Sequence, residues 1–375
     1  MAKLYRRFKF RLDPNLEQII LIIKTFGCVR FIWNKMLEDI IAYFLITGEY
    51  LDRTPAKYKK KHPFLKEVDS MALCNSQMNL RTACKNYQRD EKIGFPAYKS
   101  KKRDVASYTT NCINNNIRIE GKHIVLPKLG KVRFKRHREI PDHYKLKAAT
   151  IIRHASGSYY VSLLYEFEAL PITPKPIEKV VGLDFSMPEL FVSSDGERPF
   201  NPHYYRRSEE KLARMQRVLS HMQPGSKNFS EQKRKIAKVH EHIACQRRDF
   251  LHKLSTRIAN EYDAVAVESL KMTGMSKALN FGKSVGDNGW GMFIQLLKYK
   301  LEEQGKRLII VDKWFPSSKM CSKCGAIKHD LSLSDRTYVC PCCGHTMDRD
   351  LNAAINLKNE AIRILALENL KPNLA

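Results

Sequence analysis

Nowhere among the 375 residues is there an apolar run approaching the roughly eighteen residues that a membrane-spanning helix needs, which excludes an integral membrane protein of the helical kind. The opening Met1-Ala2-Lys3-Leu4-Tyr5-Arg6-Arg7-Phe8 is basic and then alternates, where a secretory leader would continue into an apolar core. No internal repeat and no long low-complexity tract is present, so solenoid and fibrous architectures are set aside. Acidic residues are scarce: 39 Asp and Glu face 66 Lys and Arg, a formal charge of +27. An excess of that size points to a polyanionic partner, nucleic acid before a membrane surface. The ten cysteines come without secretory features, which predicts a reducing, cytoplasmic setting and no disulfide framework.

What is there reads as two or three compact units, because the chain exceeds the usual size of one domain. Residues 3 to 12 alternate as a half-buried strand, and Asp13-Pro14 is expected to cap a helix. Helical spacing at Leu16, Ile19, Ile20 and Ile23, then at Val29, Trp33, Met36, Leu37, Ile40 and Phe44, predicts two helices divided at Gly27. A further helix runs from Asp69 or Ser70 to Tyr87. The stretch Phe95 to Arg103 interleaves aromatics with cations, the composition that stacks bases and meets phosphates; Tyr98, Lys99, Lys101, Lys102 and Arg103 are its candidate contacts. Short alternating strands follow between Ile117 and Tyr165, and with the first strand they predict a small β-barrel.

Pro171, Pro174 and Pro176 mark a linker. Beyond it, apolar strands are expected at Val180 to Phe185, Leu190 to Ser194, Asp263 to Glu268 and Leu308 to Val311. Two helices fall between Ser208 and Asn260, the second carrying Lys233, Arg234, Arg247, Arg248 and Lys253 away from its apolar stripe; these read as contacts to a nucleic-acid backbone. Lys271 to Asn288 has no clear period and reads as a loop, with a lid as one option. Asp195 reads as a turn residue. Cys28, Cys74, Cys84, Cys112 and Cys245 are most simply small core residues.

The most specific chemistry lies between Cys321 and Leu357. Cys321 with Cys324 and Cys340 with Cys343 form two Cys-x-x-Cys pairs fifteen residues apart, the spacing of a closed, structural zinc ribbon. Cys342 crowds the second turn and competes with Cys343 for the ligand position. Directly afterwards comes Asp348-Arg349-Asp350-Leu351-Asn352-Ala353-Ala354, where Asp350 starts a helix and has helix capping as its plain alternative role. Asp184 and Glu268 stand within or at the end of apolar strands, where a carboxylate is costly unless it is paired or holds a metal. Three such groups that converge describe a two-metal site.

The order Gly-Leu-Asp-Phe-Ser (182 to 186), Val-Glu-Ser-Leu (267 to 270), the two cysteine turns and Asp-Arg-Asp-Leu-Asn-Ala-Ala resembles that of TnpB proteins, transposon-encoded RNA-guided nucleases related to type V CRISPR effectors. Phe26 to Asn34 and Phe95 to Lys101 resemble the family's amino-terminal signatures. The resemblance implies an α/β multi-domain protein: an RNase H-like (RuvC) nuclease over 179–317 and 347–375 with a zinc-ribbon insertion at 318–346, a linker at 171–178, and a wedge β-barrel over 1–13 and 111–170 carrying a helical recognition insertion at 14–110. It further implies that Asp184, Glu268 and Asp350 are catalytic and hold two Mg²⁺. One structural Zn²⁺ would sit on Cys321, Cys324, Cys340 and Cys343. The implied partners are a guide RNA transcribed from the element and double-stranded target DNA with its unwound strands, cleaved beside a short flanking motif; no membrane takes part. Ser186, where many relatives have glycine, and the crowded Cys-Pro-Cys-Cys-Gly turn are departures that remove no ligand. A nuclease-inactive RNA-guided repressor, a DNA-joining transposase and a zinc-ribbon binder without catalysis are the alternatives.

Overall fold

The computed structural model describes residues 3–102, 105–168, 173–270, 272, 274, 282–332 and 334–370. The chain divides into two compact units, Met1–Leu170 and Pro171–Ala375. Among the described residues no helix is long and apolar enough to cross a membrane.

In the first unit, β1 (Lys3–Asp13), β2 (Ala106–Asn111), β3 (Arg118–Glu120), β4 (His123–Leu126), β5 (Gly130–Lys135), β6 (Lys145–Arg153) and β7 (Tyr159–Glu168) form one antiparallel sheet of order β2-β6-β7-β1-β5-β4-β3. Its inward residues, from Tyr108 on one edge strand through Val161 and Phe10 to Ile124 near the other edge, share a single core. The sheet therefore curls upon itself, yet no pairing joins β2 to β3 among the described residues, so the expected barrel is an open, curled sheet. The sheet resumes at Ala106 and not at 111, because β2 pairs with β6 along its whole length.

The two expected amino-terminal helices are one, α1 (Leu16–Thr47), and its true partner is α2 (Ser70–Arg89). Gly27 does not break it. A glycine costs a helix interior about 1 kcal/mol, which buried contacts on either side outweigh: Ile22 and Phe26 enter the sheet core, while Ile32, Trp33, Leu37 and Ile40 pack with Leu73 and Leu80 of α2. The cap is also corrected. Asp13 ends β1 opposite Arg133, and Asn15 closes a reciprocal capping box with Gln18.

The second unit is a three-layer α/β/α arrangement. Strands β8 (Val180–Phe185), β9 (Phe191–Ser193), β10 (Ala264–Glu268) and β11 (Arg307–Val311) take the order β11-β10-β8-β9, with β8, β10 and β11 parallel and β9 antiparallel. Runs such as Val-Val-Gly-Leu and Ala-Val-Ala-Val suit strands covered on both faces. Side chains alternate between the faces. Val181, Leu183, Val265 and Val267 meet α4 (Lys227–Glu261) and α6 (Trp290–Glu303), whereas Ala264, Ala266 and Ile309 meet Leu357, Ala361 and Leu365 of α7 (Arg349–Leu370). Helix α3 (Tyr204–Ser220) packs on α4, and the short α5 (Gly282–Asn288) follows β10. Residues 271, 273 and 275–281, half of the segment read as a loop, lie outside the described residues, as does Pro171 of the linker, and the end of that segment is the helix α5 where a loop was expected. Cys28 and Cys84 are buried as expected of core residues, but Cys245 is exposed on α4, whose outward face it shares with cations.

Helix α7 crosses β8 with almost no clearance. A β-carbon on Gly182 would stand 2.0 Å from the carbonyl oxygen of Ala354 and 2.7 Å from the amide nitrogen of Lys358, contacts with backbone that no rotamer change relieves. Gly27 offers the opposite case, since a β-carbon there meets nothing within 4 Å. Gly182→Ala is expected to destabilise the second unit by on the order of 3 kcal/mol, while Gly27→Ala stabilises the first by about 0.5–1 kcal/mol. Hydrogen exchange under graded urea, which resolves α7 and α1 separately, checks both signs.

Candidate active site and metal centre

The alternation of the sheet decides where the three acids lie. Asp184 shares its face with Gly182, and Glu268 shares its face with Ala264 and Ala266; both faces are the one that α7 covers. The β8–β10 register pairs Leu183 with Val267, so Asp184 and Glu268 leave the carboxyl ends of neighbouring parallel strands side by side. Asp350 lies one helical turn before Ala354, the residue that rests on Gly182, and α7 thus brings it over the strand end. All three acids are partly buried.

Their proximity is visible in the protonation of Asp184, whose carboxyl is held well above its ordinary value first by burial, then by the negative charges of Asp350 and Glu268, with the Arg349 guanidinium opposing them. Burial likewise raises Glu268. Helix capping does not account for Asp350. Asp348 fills that role, accepting the Leu351 amide at 2.9 Å, and the Asp350 carboxylate instead accepts from Arg349 at 3.1 and 3.2 Å. Arg349 is thus a countercharge inside the acidic site that the sequence pattern did not single out. The donor set is all oxygen, the preference of a hard divalent cation. The acids are gathered less tightly than the cysteines described next, which form the one group of potential metal-ligating side chains drawn together among the described residues.

Cys321, Cys324, Cys340 and Cys343 place their four sulfurs within 4.8 Å of one another. The Cys321–Cys343 and Cys324–Cys340 sulfur separations are 3.8 and 3.6 Å, against an edge of roughly 3.8 Å for a tetrahedron with Zn–S bonds of about 2.3 Å. Each turn closes in the same way. Gly325 and Gly344, at φ 78° and 67°, donate their amides to the carbonyls of Cys321 and Cys340 at 2.9 and 3.1 Å, a left-handed conformation that glycine adopts without penalty. The sulfur of Cys343, and not that of Cys342, joins the cluster. The amides of Cys343 and Cys342 both donate to Cys340 Sγ at 3.4 Å, which holds its thiol down at about 6. The set fits a structural zinc ion. Tyr338 is fully buried beneath it, and β12 (Thr337–Val339) pairs with β13 (Thr346–Asp348).

The ribbon is tied to the acidic site by two buried asparagines of α7. Asn352 Nδ2 donates to the Met320 carbonyl at 2.7 Å and Asn352 Oδ1 accepts the Ser322 amide at 3.0 Å. Asn356 Nδ2 donates to the carbonyls of Ser317 and Met320 at 2.8 and 2.6 Å. Sequence reasoning passed over both. Two asparagines spaced i, i+4 in an otherwise Ala- and Leu-rich helix were the available signal.

The candidate nucleic-acid contacts separate into two groups. Tyr98, Lys101, Lys102, Lys233, Arg234, Arg248 and Lys253 are exposed, although Lys253 pairs with Asp249 at 2.7 Å. Lys99 lies over the Trp33 ring at 3.7 Å, and its backbone exchanges bonds of 2.8 and 2.9 Å with the Asn34 side chain, which staples this segment to α1. Arg247 is corrected: it turns inward to the fully buried carboxylate of Asp287 at 3.3 Å, because Asp287 accepts the amides of Tyr205 and Arg206 at the start of α3 and needs a countercharge. Arg103 lies outside the described residues. Asp195 is a turn residue as read, and it accepts the Tyr262 hydroxyl at 2.9 Å.

Three family models match the chain: "Probable transposase" over residues 162–279, "Cas12f1-like, TNB domain" over 290–357 and "Helix-turn-helix domain" over 1–44. Residues 3–13 and 16–47 form a strand and one uninterrupted helix, so no turn between helices occurs there. The chain is 35% identical to a "Putative RNA-guided DNA endonuclease" of Streptomyces pristinaespiralis, over 95% of this chain and 89% of that protein. It is 29% identical to "Putative RNA-guided DNA endonuclease InsQ" of Escherichia coli K12, over 97% and 94%. Among solved structures, the Cas12f1–sgRNA–target DNA complex is similar with a TM-score of 0.58 at 12% identity, covering 96% of this chain and 99% of that one, a likeness of fold.

Cys340→Ser is expected to abolish zinc retention and to loosen residues 318–348, whereas Cys342→Ser leaves one zinc per chain. Metal content by mass spectrometry, with limited proteolysis of the ribbon, checks the contrast.

Proposed function

The chain belongs to the TnpB family, and from that premise we propose that it is an RNA-guided DNA endonuclease whose hydrolytic centre is formed by Asp184, Glu268 and Asp350. The observation that carries the assignment is the shared face: strand register and helix crossing direct three acids to one end of a buried sheet, and two of them press on the protonation of the third. The parallel strands with one antiparallel edge, covered by helices on both faces, support an RNase H-like (RuvC) nuclease over 179–317 and 347–375. The curled sheet and the α1–α2 pair support the reading of the first unit as a wedge domain carrying a recognition insertion. The zinc ribbon at 318–346 would contact target nucleic acid.

The three carboxylates would hold Mg²⁺, which when bound supplies Lewis-acid activation of water and stabilisation of the departing oxygen. The protein's own contribution is positional. Strand ends fix two acids, α7 fixes the third, and Arg349 pairs with Asp350 at 3.1 Å and orients its carboxylate. Exposed lysines and arginines supply affinity for the polyanion without choosing sequence. Choice of target falls to base pairing with the guide, with a short flanking motif read by the protein.

Replacing Asp184, Glu268 or Asp350 singly with Ala is expected to lower cleavage of a guide-matched duplex by at least ~10³-fold while leaving co-purifying RNA and duplex binding unchanged. Undiminished cutting by any of the three removes that residue from the centre, and cutting that persists without RNA favours a DNA-joining transposase.

A further inference from the structure

Tryptophan is the residue type that a folded chain has least reason to leave in water, and this protein has three. Trp33 and Trp290 are 7% and 3% exposed; Trp314 is 81% exposed. It does not hang from a loose loop. Its amide donates to Asp312 Oδ1 at 2.8 Å, and the Phe315 amide donates to the Asp312 carbonyl at 3.1 Å, so a tight turn presents the indole outward while Phe315 packs into the core beneath α7. Two residues further on, Ser317 is buried and its carbonyl is gripped by Asn356 of α7. The turn is thus fastened to the helix that carries Asp350.

Its distance from the acids is bounded by the chain. Val311 is the register partner of Glu268 on the adjacent strand, and three residues reach at most about 11 Å. Lys313 sets its ammonium 4.4 Å from the Trp314 ring centroid, a cation–π contact that covers one face of the indole and leaves the other open to solvent. A rigid, half-covered aromatic plane with an adjacent cation is the chemistry that holds an unpaired nucleobase and its phosphate. We propose that Trp314 is a stacking platform for a base of the single DNA strand delivered to the three-acid centre, with Lys313 meeting the neighbouring phosphate. At roughly 3.4 Å per nucleotide along a strand, that base lies within about five nucleotides of the bond to be cut.

This inference rests on the nuclease reading, and the experiment separates the two. Full-length, RNA-loaded Asp184→Ala protein without Mg²⁺ is titrated with a twelve-residue thymidine oligonucleotide and with an abasic oligomer of equal length, while tryptophan emission is followed. Base-dependent quenching that disappears in the Trp314→Phe variant is the expected result, since the two remaining tryptophans are buried. Equal quenching by the abasic strand, which reports phosphate contact alone, or undiminished quenching in Trp314→Phe, overturns the proposal. In the Asp184 background that cuts, Trp314→Ala should slow cleavage at limiting DNA by roughly tenfold, with Trp314→Phe restoring most of it. Full activity in Trp314→Ala overturns the platform and leaves the centre standing, whereas absence of cutting in the parent protein overturns the nuclease reading whatever the emission shows.

Discussion

Helix α7 lies on strand β8 so closely that only a residue without a side chain fits between them, and the second unit is arranged by that contact. The crossing at Gly182 sets which turn of the helix faces which strand position. Asp350 is thereby brought to the end of β8 where Asp184 emerges, and the parallel register of β8 with β10 adds Glu268. None of the three acids is near another in sequence. Their meeting follows from two backbone relations, one between strands and one between helix and strand.

The same helix organises the four-cysteine ribbon. A segment of this size buries too little apolar surface to fold alone, and its small core of Tyr338 with Cys321 and Cys340 depends on the sulfur tetrahedron for closure. Once closed, it is tied through Met320 and Ser317 to Asn352 and Asn356, within two turns of Asp350. A zinc ion on these sulfurs would act at a distance from the acids, by holding the chain between β11 and α7 in one path. Trp314 stands on that path, and its exposure follows from a turn that is anchored on both sides.

Much of this was readable beforehand, and the limits have physical causes. The gathering of four cysteines was legible because their spacing is itself the geometry, although only the sulfur positions choose Cys343 over Cys342. The strand acids were legible because carboxylates rarely stand in apolar strands, while the capping role of Asp348, which frees Asp350, required backbone geometry. Gly27 misled because a local helix propensity was outweighed by tertiary packing on both of its sides. Arg247 misled because a cation on the outer half of a helix has the same appearance in sequence whether it meets solvent or a buried carboxylate such as Asp287. Lys99 shows the same ambiguity, since it is turned onto Trp33.

The two ends of the account, a basic chain suited to nucleic acid and an acidic centre suited to divalent metal, meet only if the acids bind cations directly. The most direct measurement is anomalous diffraction from crystals of the guide-loaded protein grown with Mn²⁺ in place of Mg²⁺. Two manganese peaks coordinated by Asp184, Glu268 and Asp350 are the predicted result. Manganese bound elsewhere, or at this strand end by a set of ligands that omits one of the three, would contradict it.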